Sequence, residues 1–460
     1  MWVYLNQSIA TAFATLLVVS TCLAYSWISP ALKILLSPET PIAITSDESS
    51  WIASFIILGS IFGSICTGYL SNKIGRKYTM IIGAVPIICA WIIVYLAKSV
   101  IELYLFRILS GIGFGISLSI MTTYLGEISS KNIRGVLTIM GTIMVKFGTM
   151  LAYSIGSYVS FYTFPQIAIV FPIIFLLTFV WMPESPHYLL SKGRYEEAEK
   201  NWKWLNIKES FDEVKAKMLT DVEENKKLNS EDKNDIKSEL FHRDNRNSFF
   251  ILFAMSTAQA FSGHMMFLIY AHLIFGRVEG FLSADVSTIM LGVTQFVSTI
   301  LSTFFVDRLG RRPLILFSSF GGTFCTGLVG AYFFFEQYEY NVKAFNFIPV
   351  LSLVLFLFFY NIGLGSAGFT LQAEIFPTNI RGTAASIGMV YNQVLAFVLT
   401  KLFQVLADLI GFYSPFWLFC SVSAIFLIIL YSNIIETKQK RFDEILCEMK
   451  ALKIRIFGCF

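Results

Sequence analysis

The sequence predicts an all-α membrane protein with twelve transmembrane helices arranged in two six-helix bundles. Three observations lead to this fold class: the composition, the number of long apolar runs, and a polar signature that occurs twice. Of the 460 residues, 55% are hydrophobic and only 14% are charged. A soluble core could not bury that much apolar surface, so most of it must face lipid.

Apolar runs of about 20 residues cross a bilayer as helices, because a helix satisfies its own backbone hydrogen bonds within the hydrocarbon layer. The sequence contains twelve such runs. In order, they lie near residues 8–29, 50–70, 78–97, 100–124, 136–158, 164–182, 248–272, 283–306, 313–335, 348–371, 382–407 and 412–434. The first run is too long for a secretory signal peptide and has no small-residue cleavage site, so we expect it to remain as the first span.

A short polar signature follows both the second and the eighth predicted span. It reads Asn-Lys-Ile-Gly-Arg-Lys over Asn72–Lys77 and Asp-Arg-Leu-Gly-Arg-Arg over Asp307–Arg312. Each copy has a partner of the form Glu-x6-Arg-Gly further along the chain, which begins at Glu127 in one case and at Glu374 in the other. A signature repeated about half a chain apart indicates two homologous bundles.

Lysine and arginine are unevenly divided between the two sets of short loops. One set holds Lys73, Arg76, Lys77, Lys131, Arg134, Arg308, Arg311, Arg312 and Arg381, whereas the other holds Lys33, Lys98, Arg277 and Lys343. The positive-inside rule places the richer set, both termini and the long loop after the sixth span in the cytoplasm. This bias explains the net charge of +4, so we expect the lipid bilayer and no nucleic acid as a partner. Without a visible organelle address, the plasma membrane is the expected location.

The segment between the two halves is far more polar than the rest. The predicted domains are a six-helix bundle at 1–183, a cytoplasmic helical linker at 184–247, a second six-helix bundle at 248–434 and a cytoplasmic tail at 435–460. Residues 184–249 alone hold 28 of the 35 + 31 = 66 charged residues. Apolar spacing predicts short amphipathic helices over 195–205 and 211–219, and the loss of apolar residues over 220–237 predicts a hinge or disordered linker.

Five motifs in this order resemble the sugar porter branch of the major facilitator superfamily. Besides the repeated signature and its Glu-x6-Arg-Gly partners, they are Pro183–Pro186, Gln259–Gly263 and Glu436–Lys438. Two further stretches, Trp27–Pro30 and Tyr188–Arg194, are most similar to the insect facilitated trehalose transporters. The resemblance implies the major facilitator fold and alternating-access transport of a sugar, with trehalose or a hexose as the expected substrate. It also implies that a monomer suffices for transport, while the oligomeric state stays open.

In this family, acid and arginine side chains at cytoplasmic helix ends form a gating network. The resemblance assigns to it Asn72, Arg76, Glu127, Arg134 and Glu184 in the first half, and Asp307, Arg311, Glu374, Arg381 and Glu436 in the second. Each pair would contribute about 1 kcal/mol or less, so the network can bias two states without locking either. Asn72 replaces the usual Asp, which predicts a weaker attraction to arginine and a less stable outward-facing state. The alternative is that these residues only set topology and turns.

An amide side chain in the middle of a span is costly unless it forms hydrogen bonds. Sugar sites need such amides to bond the hydroxyl groups of the sugar. The resemblance therefore assigns substrate binding to Gln259, Gln295, Asn392, Thr142 and Gln393. Interhelical hydrogen bonding is the structural alternative for each of them. Other family positions have changed: Ala260 and Met265 replace two sugar-binding amides of the seventh span, and the tenth span has lost its two prolines and its Trp, leaving Gly365 and Gly368 to permit a bend.

Proton-coupled members of the family pair an Asp in the first span with an Arg in the fourth. Here the first-span position is Ser26, whereas Arg107 is kept. This difference favours facilitated diffusion by a uniporter. Lys146 and Lys401 are unusual cations inside predicted spans, and we expect them to snorkel or to pair, with attraction of an anion as the alternative.

Two other functions stay open on this evidence. The altered substrate positions permit a non-transporting sugar sensor or orphan member, and they also permit a proton-coupled transporter of a modified or less polar solute. An enzyme is not expected, because the four histidines are scattered without the spacing of a nucleophile, base or metal cluster. No cofactor and no metal site are therefore expected.

Overall fold

The computed structural model describes residues 4–207, 209–216, 245–278, 282–376, 380–438, 440, 444–445 and 448–449, and in three of these, Asp307, Ala373 and Arg381, it describes the backbone alone. The predicted hinge at 220–237 lies outside the described residues. In the first half of the chain the helices are α1 (Leu5–Ser26), α2 (Ile28–Leu35), α3 (Ser46–Ile74), α4 (Arg76–Leu96), α5 (Val100–Ile128), α6 (Arg134–Gly156), α7 (Thr163–Ala168), α8 (Val170–Phe179), α9 (Pro186–Ser191) and α10 (Tyr195–Leu205).

The second half continues the all-helical architecture. Its helices are α11 (Arg246–Phe261), α12 (His264–Ile269), α13 (Ala271–Gly276), α14 (Ala284–Leu309), α15 (Arg311–Gln337), a 3₁₀ turn (Lys343–Phe345), α16 (Phe347–Tyr360), a π-helical turn (Asn361–Gly365), α17 (Ser366–Glu374), α18 (Arg381–Leu409) and α19 (Ser414–Asn433). Among the described residues, eleven helical segments are long and apolar enough to cross a membrane. The predicted all-α membrane fold is therefore confirmed.

The sixth predicted span, at 164–182, is shorter than expected and consists of α7 and α8. Pro172 lies near the start of α8 and has no backbone N–H to donate to the carbonyl of Ala168, where α7 ends. The missing hydrogen bond explains why the helix is interrupted there. With this apolar segment, the count of twelve predicted segments is retained, although only eleven meet the length expected for a full span.

The seventh span is also interrupted. Gly263 follows the end of α11 with a φ of +83°, and a Cβ atom there would come within 2.7 Å of the Phe267 ring. A residue with a side chain would be strained in that left-handed conformation and would also clash. The Ser-Gly of the motif therefore ends α11 and allows α12 to begin at His264.

In the tenth span, the π-helical turn replaces the bend that was expected from Gly365 and Gly368. A π turn leaves some backbone N–H and carbonyl groups without their usual helical partner. The Leu364 backbone N–H accordingly bonds the hydroxyl of Ser318 at 2.8 Å, while the Leu364 carbonyl accepts from Gln259 at 2.9 Å. The regular α-helix of the tenth span is thus interrupted without proline.

Small residues bring α3 and α5 into close contact. A Cβ atom at Gly111 would lie 2.3 Å from the carbonyl oxygen of Ile56 and 2.9 Å from the Cα of Gly59. Gly63 and Gly115 are equally restricted by the opposite backbone, at 2.2 Å in both cases. Close backbone approach through small residues is a common way for helices to pack inside a bilayer.

The short helix α10 packs on the bundle of the first half. Trp202 and Leu205 are buried in the same apolar cluster as Leu17, Tyr124 and Phe179. The helix therefore has one apolar face, as its spacing predicts, and this face is fixed to the ends of the membrane helices.

The chain forms two compact units. The first comprises Met1–Trp27, Thr40–Ala43 and Phe55–Asn234, and the second comprises Ile28–Glu39, Ile44–Ser54 and Asp235–Phe460. The second unit therefore includes α2 and the beginning of α3, although both come from the first half of the sequence.

Candidate functional site

The first copy of the signature is the centre of a charged network in the first unit. Arg76 begins α4, and its Nη2 lies 2.8 Å from Oε1 of Glu127, which is near the end of α5. Its Nε donates to the same oxygen at 3.1 Å. The other oxygen of Glu127 accepts a short hydrogen bond from the hydroxyl of Ser185. Three predicted network residues, Arg76, Glu127 and Glu184, are thus brought together in this unit.

Glu184 caps the N-terminus of α4. Its Oε1 accepts from the backbone N–H of Arg76 at 3.0 Å and of Lys77 at 3.1 Å. A carboxylate at a helix N-terminus satisfies otherwise unpaired N–H groups and interacts favourably with the helix dipole. The motif Pro183–Pro186 therefore fixes the end of a distant helix.

The second unit repeats this arrangement. Arg311 begins α15, and its Nη2 lies 3.3 Å from Oε1 of Glu374, whose other oxygen accepts from the hydroxyl of Thr437 at 2.5 Å. Glu436 caps α15 by accepting from the backbone N–H of Arg311 at 3.0 Å and of Arg312 at 3.1 Å. The guanidinium contact is weaker than in the first unit, because Nε of Arg311 has no hydrogen-bond partner among the described residues.

The glycine of each signature makes room for the capping carboxylate. Gly75 has a φ of +101° and Gly310 a φ of +92°. A Cβ atom would lie 2.3 Å from Oε2 of Glu184 in the first case and 2.7 Å from Oε2 of Glu436 in the second. The glycine and the distant glutamate therefore form one structural element, a relation that the sequence repeat could have revealed but that we did not predict.

Burial affects the two capping glutamates differently. It raises the pKa of Glu184 above its usual range, against the opposing effect of the backbone N–H groups that donate to it. Burial also acts upward on Glu436, but four backbone N–H donors outweigh it, so the pKa of Glu436 lies below its usual range. The two copies thus share a geometry and differ in how strongly the ionised form is stabilised.

The remaining predicted network residues lie apart from these contacts or cannot be located. Asn72 is exposed at the end of α3. Arg134 begins α6 and its Nη2 donates only weakly, at 3.5 Å, to the carbonyl of Ser129. The side chains of Asp307 and Arg381 lie outside the described part of the structure.

Of the predicted substrate residues, Gln259 is buried and hydrogen-bonded to other residues of the protein. Its Nε2 donates to the Leu364 carbonyl of the π turn, and its Oε1 accepts from Gln372 at 3.2 Å. These bonds join α11 to the interrupted tenth span. In this structure Gln259 therefore takes the interhelical role that the sequence left open as the alternative.

Gln295 on α14 belongs to a different polar cluster. Its Nε2 donates to Nε2 of His264 at 3.3 Å, and the His264 ring stacks on Tyr360 with 4.0 Å between ring centroids. Its Oε1 is buried and has no hydrogen-bond partner among the described residues. The amide thus keeps one acceptor available. Sequence reasoning did not predict that Tyr360 belongs to this cluster, because nothing in the motifs places it opposite His264.

The other three predicted substrate residues lie on α18 and α6. Nδ2 of Asn392 donates to the Ser256 carbonyl at 3.1 Å, and Gln393 follows it in a half-buried position. Thr142 on α6 is exposed. The structure brings Gln259, Gln295 and Asn392 into the interior of the second unit, and Thr142 belongs to the first.

Arg107 on α5 is fully buried, and its Nη1 donates to the backbone carbonyl of Ala24 in α1 at 2.7 Å. The nearby hydroxyl of Ser26 donates instead to Thr149 on α6, at 3.1 Å. The buried guanidinium of Arg107 thus has a main-chain acceptor in α1.

Lys401 is an intramembrane cation that has its own counter-ion. Within the second unit its Nζ forms a short ion pair with Asp47 at the start of α3, donates to the Ser50 hydroxyl at 2.8 Å and lies 4.3 Å from the centroid of the Trp51 ring. The expected pairing is thus observed for Lys401.

A second polar group of the same unit joins α2 to α13 and α14. Lys33 contacts Asp285 at 2.7 Å, and the buried His272 lies 3.2 Å from the same carboxylate and 3.1 Å from the Ser29 hydroxyl. Both groups lie at the helix ends opposite the repeated signature.

Comparison with known proteins agrees with these features. The family model described as "Sugar (and other) transporter" matches residues 10–447. The facilitated trehalose transporter Tret1 of Apis mellifera ligustica is 30% identical over 426 residues, which is 91% of this chain and 83% of that protein. Tret1 of Bombyx mori is also 30% identical, over 92% of this chain and 82% of that protein.

Solved structures agree on the fold. The inward open conformation of the xylose transporter XylE from E. coli has a TM-score of 0.77 to this chain, with 20% identity, and the match covers 97% of this chain and 99% of that one. A XylE structure bound to 6-bromo-6-deoxy-D-glucose has a TM-score of 0.72, also at 20% identity, over 97% and 99% of the two chains. The chain belongs to the sugar porter family of the major facilitator superfamily and is a sugar transporter, not an enzyme.

Proposed function

We propose that this protein is a facilitative uniporter for trehalose or a hexose that works by alternating access in the plasma membrane, with both termini in the cytoplasm. The observation that carries the proposal is the mirrored helix-end network. In each unit a glutamate caps the helix after the signature, and the arginine of the signature bonds a second glutamate. Such a network keeps the helix ends of each bundle together, as rigid-body movement of two repeats requires.

Uniport is favoured by the position of acidic residues. In the eleven long spans of the described chain, every Asp and Glu lies within three residues of a span end. A proton-coupled cycle needs a group that titrates inside the membrane, most often a carboxylate. Arg107, the buried arginine of α5, donates to a backbone carbonyl of α1.

The assignment of trehalose or a hexose is supported by the similarity to Tret1 proteins and by amides in the interior of the second unit. We infer that the acceptor of Gln295 and the exposed hydroxyl of Thr142 are available for sugar hydroxyl groups. Gln259, Gln393 and Asn392 would contribute by rearranging their present contacts, or would only position the helices.

The test is uptake of radiolabelled trehalose, glucose and fructose into oocytes that express the protein at their surface. A uniporter predicts saturable uptake that is unchanged by a protonophore. Loss of uptake with the protonophore would show proton coupling instead, and absence of saturable uptake for every sugar from a surface-expressed protein would favour a sensor. Surface biotinylation provides the expression control.

A further inference from the structure

Lys146 is the one intramembrane cation near the middle of a described span in the first unit that the fold does not explain. It is half-buried on α6, and no carboxylate contacts it among the described residues. Lys401, by contrast, pairs with Asp47. A lysine held inside a bilayer without a counter-ion is costly and usually marks a substrate or ion pathway.

Snorkelling does not remove this cost. Lys146 is twelve residues from the start of α6, which corresponds to about 18 Å along the helix axis, and ten residues from its end, or about 15 Å. A lysine side chain extends only about 6 Å, so its ammonium group stays well within a hydrocarbon layer about 30 Å thick.

Within the described spans, no acidic side chain lies at this depth. The acidic residues of the described long spans all lie at most three positions from a span end, as do the two nearest in sequence, Glu102 and Glu127 of α5. An anion for Lys146 must therefore come from outside the transmembrane helices.

The position on α6 points to the substrate. Thr142 and Lys146 are four residues apart and share a face of the helix. Thr149, one turn after Lys146 on this face, accepts a hydrogen bond from Ser26 of α1 at 3.1 Å. Lys146 is thus one turn from a predicted sugar-binding hydroxyl, on a face where the first unit has an exposed polar group.

We propose that Lys146 binds the carboxylate of a sugar acid, so that the carrier prefers a polyhydroxylated monoanion, such as a hexuronate, to the neutral sugar. This inference rests on the proposed alternating-access transport and ranks a sugar acid above the neutral trehalose or hexose proposed there. One ammonium group matches one carboxylate, whereas a phosphate dianion would retain an unpaired charge in the membrane interior.

The test compares radiolabelled D-glucuronate, D-glucose, trehalose and glucose 6-phosphate in oocytes under voltage clamp. We expect glucuronate uptake to exceed glucose uptake at equal concentration and to produce an outward current, because each turnover carries one negative charge inward. Lys146→Gln should weaken apparent affinity for glucuronate by about thirtyfold and leave glucose uptake in place, whereas Lys146→Arg should keep the preference. Lys401→Met is the matched control, since it removes an intramembrane cation that already has a counter-ion, and should leave the glucuronate-to-glucose ratio unchanged.

The outcomes separate the two proposals. Saturable transport of neutral sugars without preference for glucuronate in the wild-type protein would overturn the role of Lys146 and leave the transporter intact. A glucuronate preference that survives in Lys146→Gln would also overturn it. No saturable uptake of any probe by surface-expressed protein would refute the transport function itself. If Lys146→Gln does not reach the surface, the wild-type preference, its current and the Lys146→Arg variant still decide the question.

Discussion

Glu184 and Glu436 each cap a helix N-terminus, but their electrostatic surroundings differ. Glu184 and Glu436 accept backbone hydrogen bonds at corresponding helix starts, yet burial raises the pKa of Glu184 and the donors lower that of Glu436. A glutamate with a lowered pKa stabilises the fold above its unfolded pKa of about 4.3, and this contribution is lost as the pH falls through the lowered value. A glutamate with a raised pKa acts in the opposite direction. Its contribution to folding stability is present at low pH and is lost as the pH rises through the raised value.

We therefore predict that Glu436→Gln destabilises the protein more than Glu184→Gln at pH 7. The difference should be at most about 1 kcal/mol, or about 1 °C in melting temperature, because the fold favours the ionised form only at Glu436 and solvent screens this partly exposed group. Thermal unfolding of the purified variants measures this, and the gap should narrow towards pH 4. Equal losses at pH 7, or a gap that widens in acid, would contradict the assignment.

The sequence predicted which residues belong to the helix-end network better than it predicted how these residues contact one another. Repetition indicated Arg76, Glu127, Arg311 and Glu374, because their spacing recurs in each half. It could not show that a capping carboxylate sits against each signature glycine, since that contact joins residues about 110 positions apart, as in Glu184 and Arg76. Long-range contacts of this kind depend on how the helices pack.

At the level of helices, most spans were recognisable because long apolar runs have few alternatives to a transmembrane helix. The interruptions were harder to predict. The π turn at Asn361–Gly365 is stabilised by Ser318 and Gln259 from two other helices, and no local pattern encodes these partners. The sequence therefore left Gln259 open between sugar binding and interhelical bonding, and in the structure its amide bonds the turn.

The contact between α3 and α5 should tolerate no added side chain. We predict that Gly111→Ala lowers stability by about 1–3 kcal/mol, because its Cβ would lie 2.3 Å from the Ile56 carbonyl oxygen and the helices would have to separate. Gly126→Ala is the control on the same helix, where no heavy atom lies within 4 Å of the added Cβ. Melting temperatures of the two variants compare them directly, and an unchanged value for Gly111→Ala would disprove the close packing.

At the scale of the whole molecule, the second unit includes segments from the first half of the sequence. The pair Asp47–Lys401 attaches the beginning of α3 to α18 within that unit. Asp47 is 70% exposed, and exposed pairs contribute about 1 kcal/mol or less, so this attachment is weak.

Removing this attachment should loosen the beginning of α3 without unfolding it. We predict that Lys401→Met increases amide hydrogen exchange of residues 46–54 by about fivefold, and that Asp47→Asn added to it has little further effect. The remaining part of α3, residues 55–74, provides the internal control. Unchanged exchange at 46–54 would mean that the ion pair does not hold the segment.

The measurement that tests the central claim most directly is counterflow in proteoliposomes of the purified protein. Vesicles loaded with unlabelled sugar, either trehalose, glucose or glucuronate, are diluted into a trace of the same labelled sugar, with the pH gradient abolished by a protonophore. A facilitative alternating-access carrier predicts transient accumulation of label above equilibrium for at least one of the three, undiminished by the protonophore. Absence of accumulation for all three, from protein that melts cooperatively in the same lipid, would contradict the account.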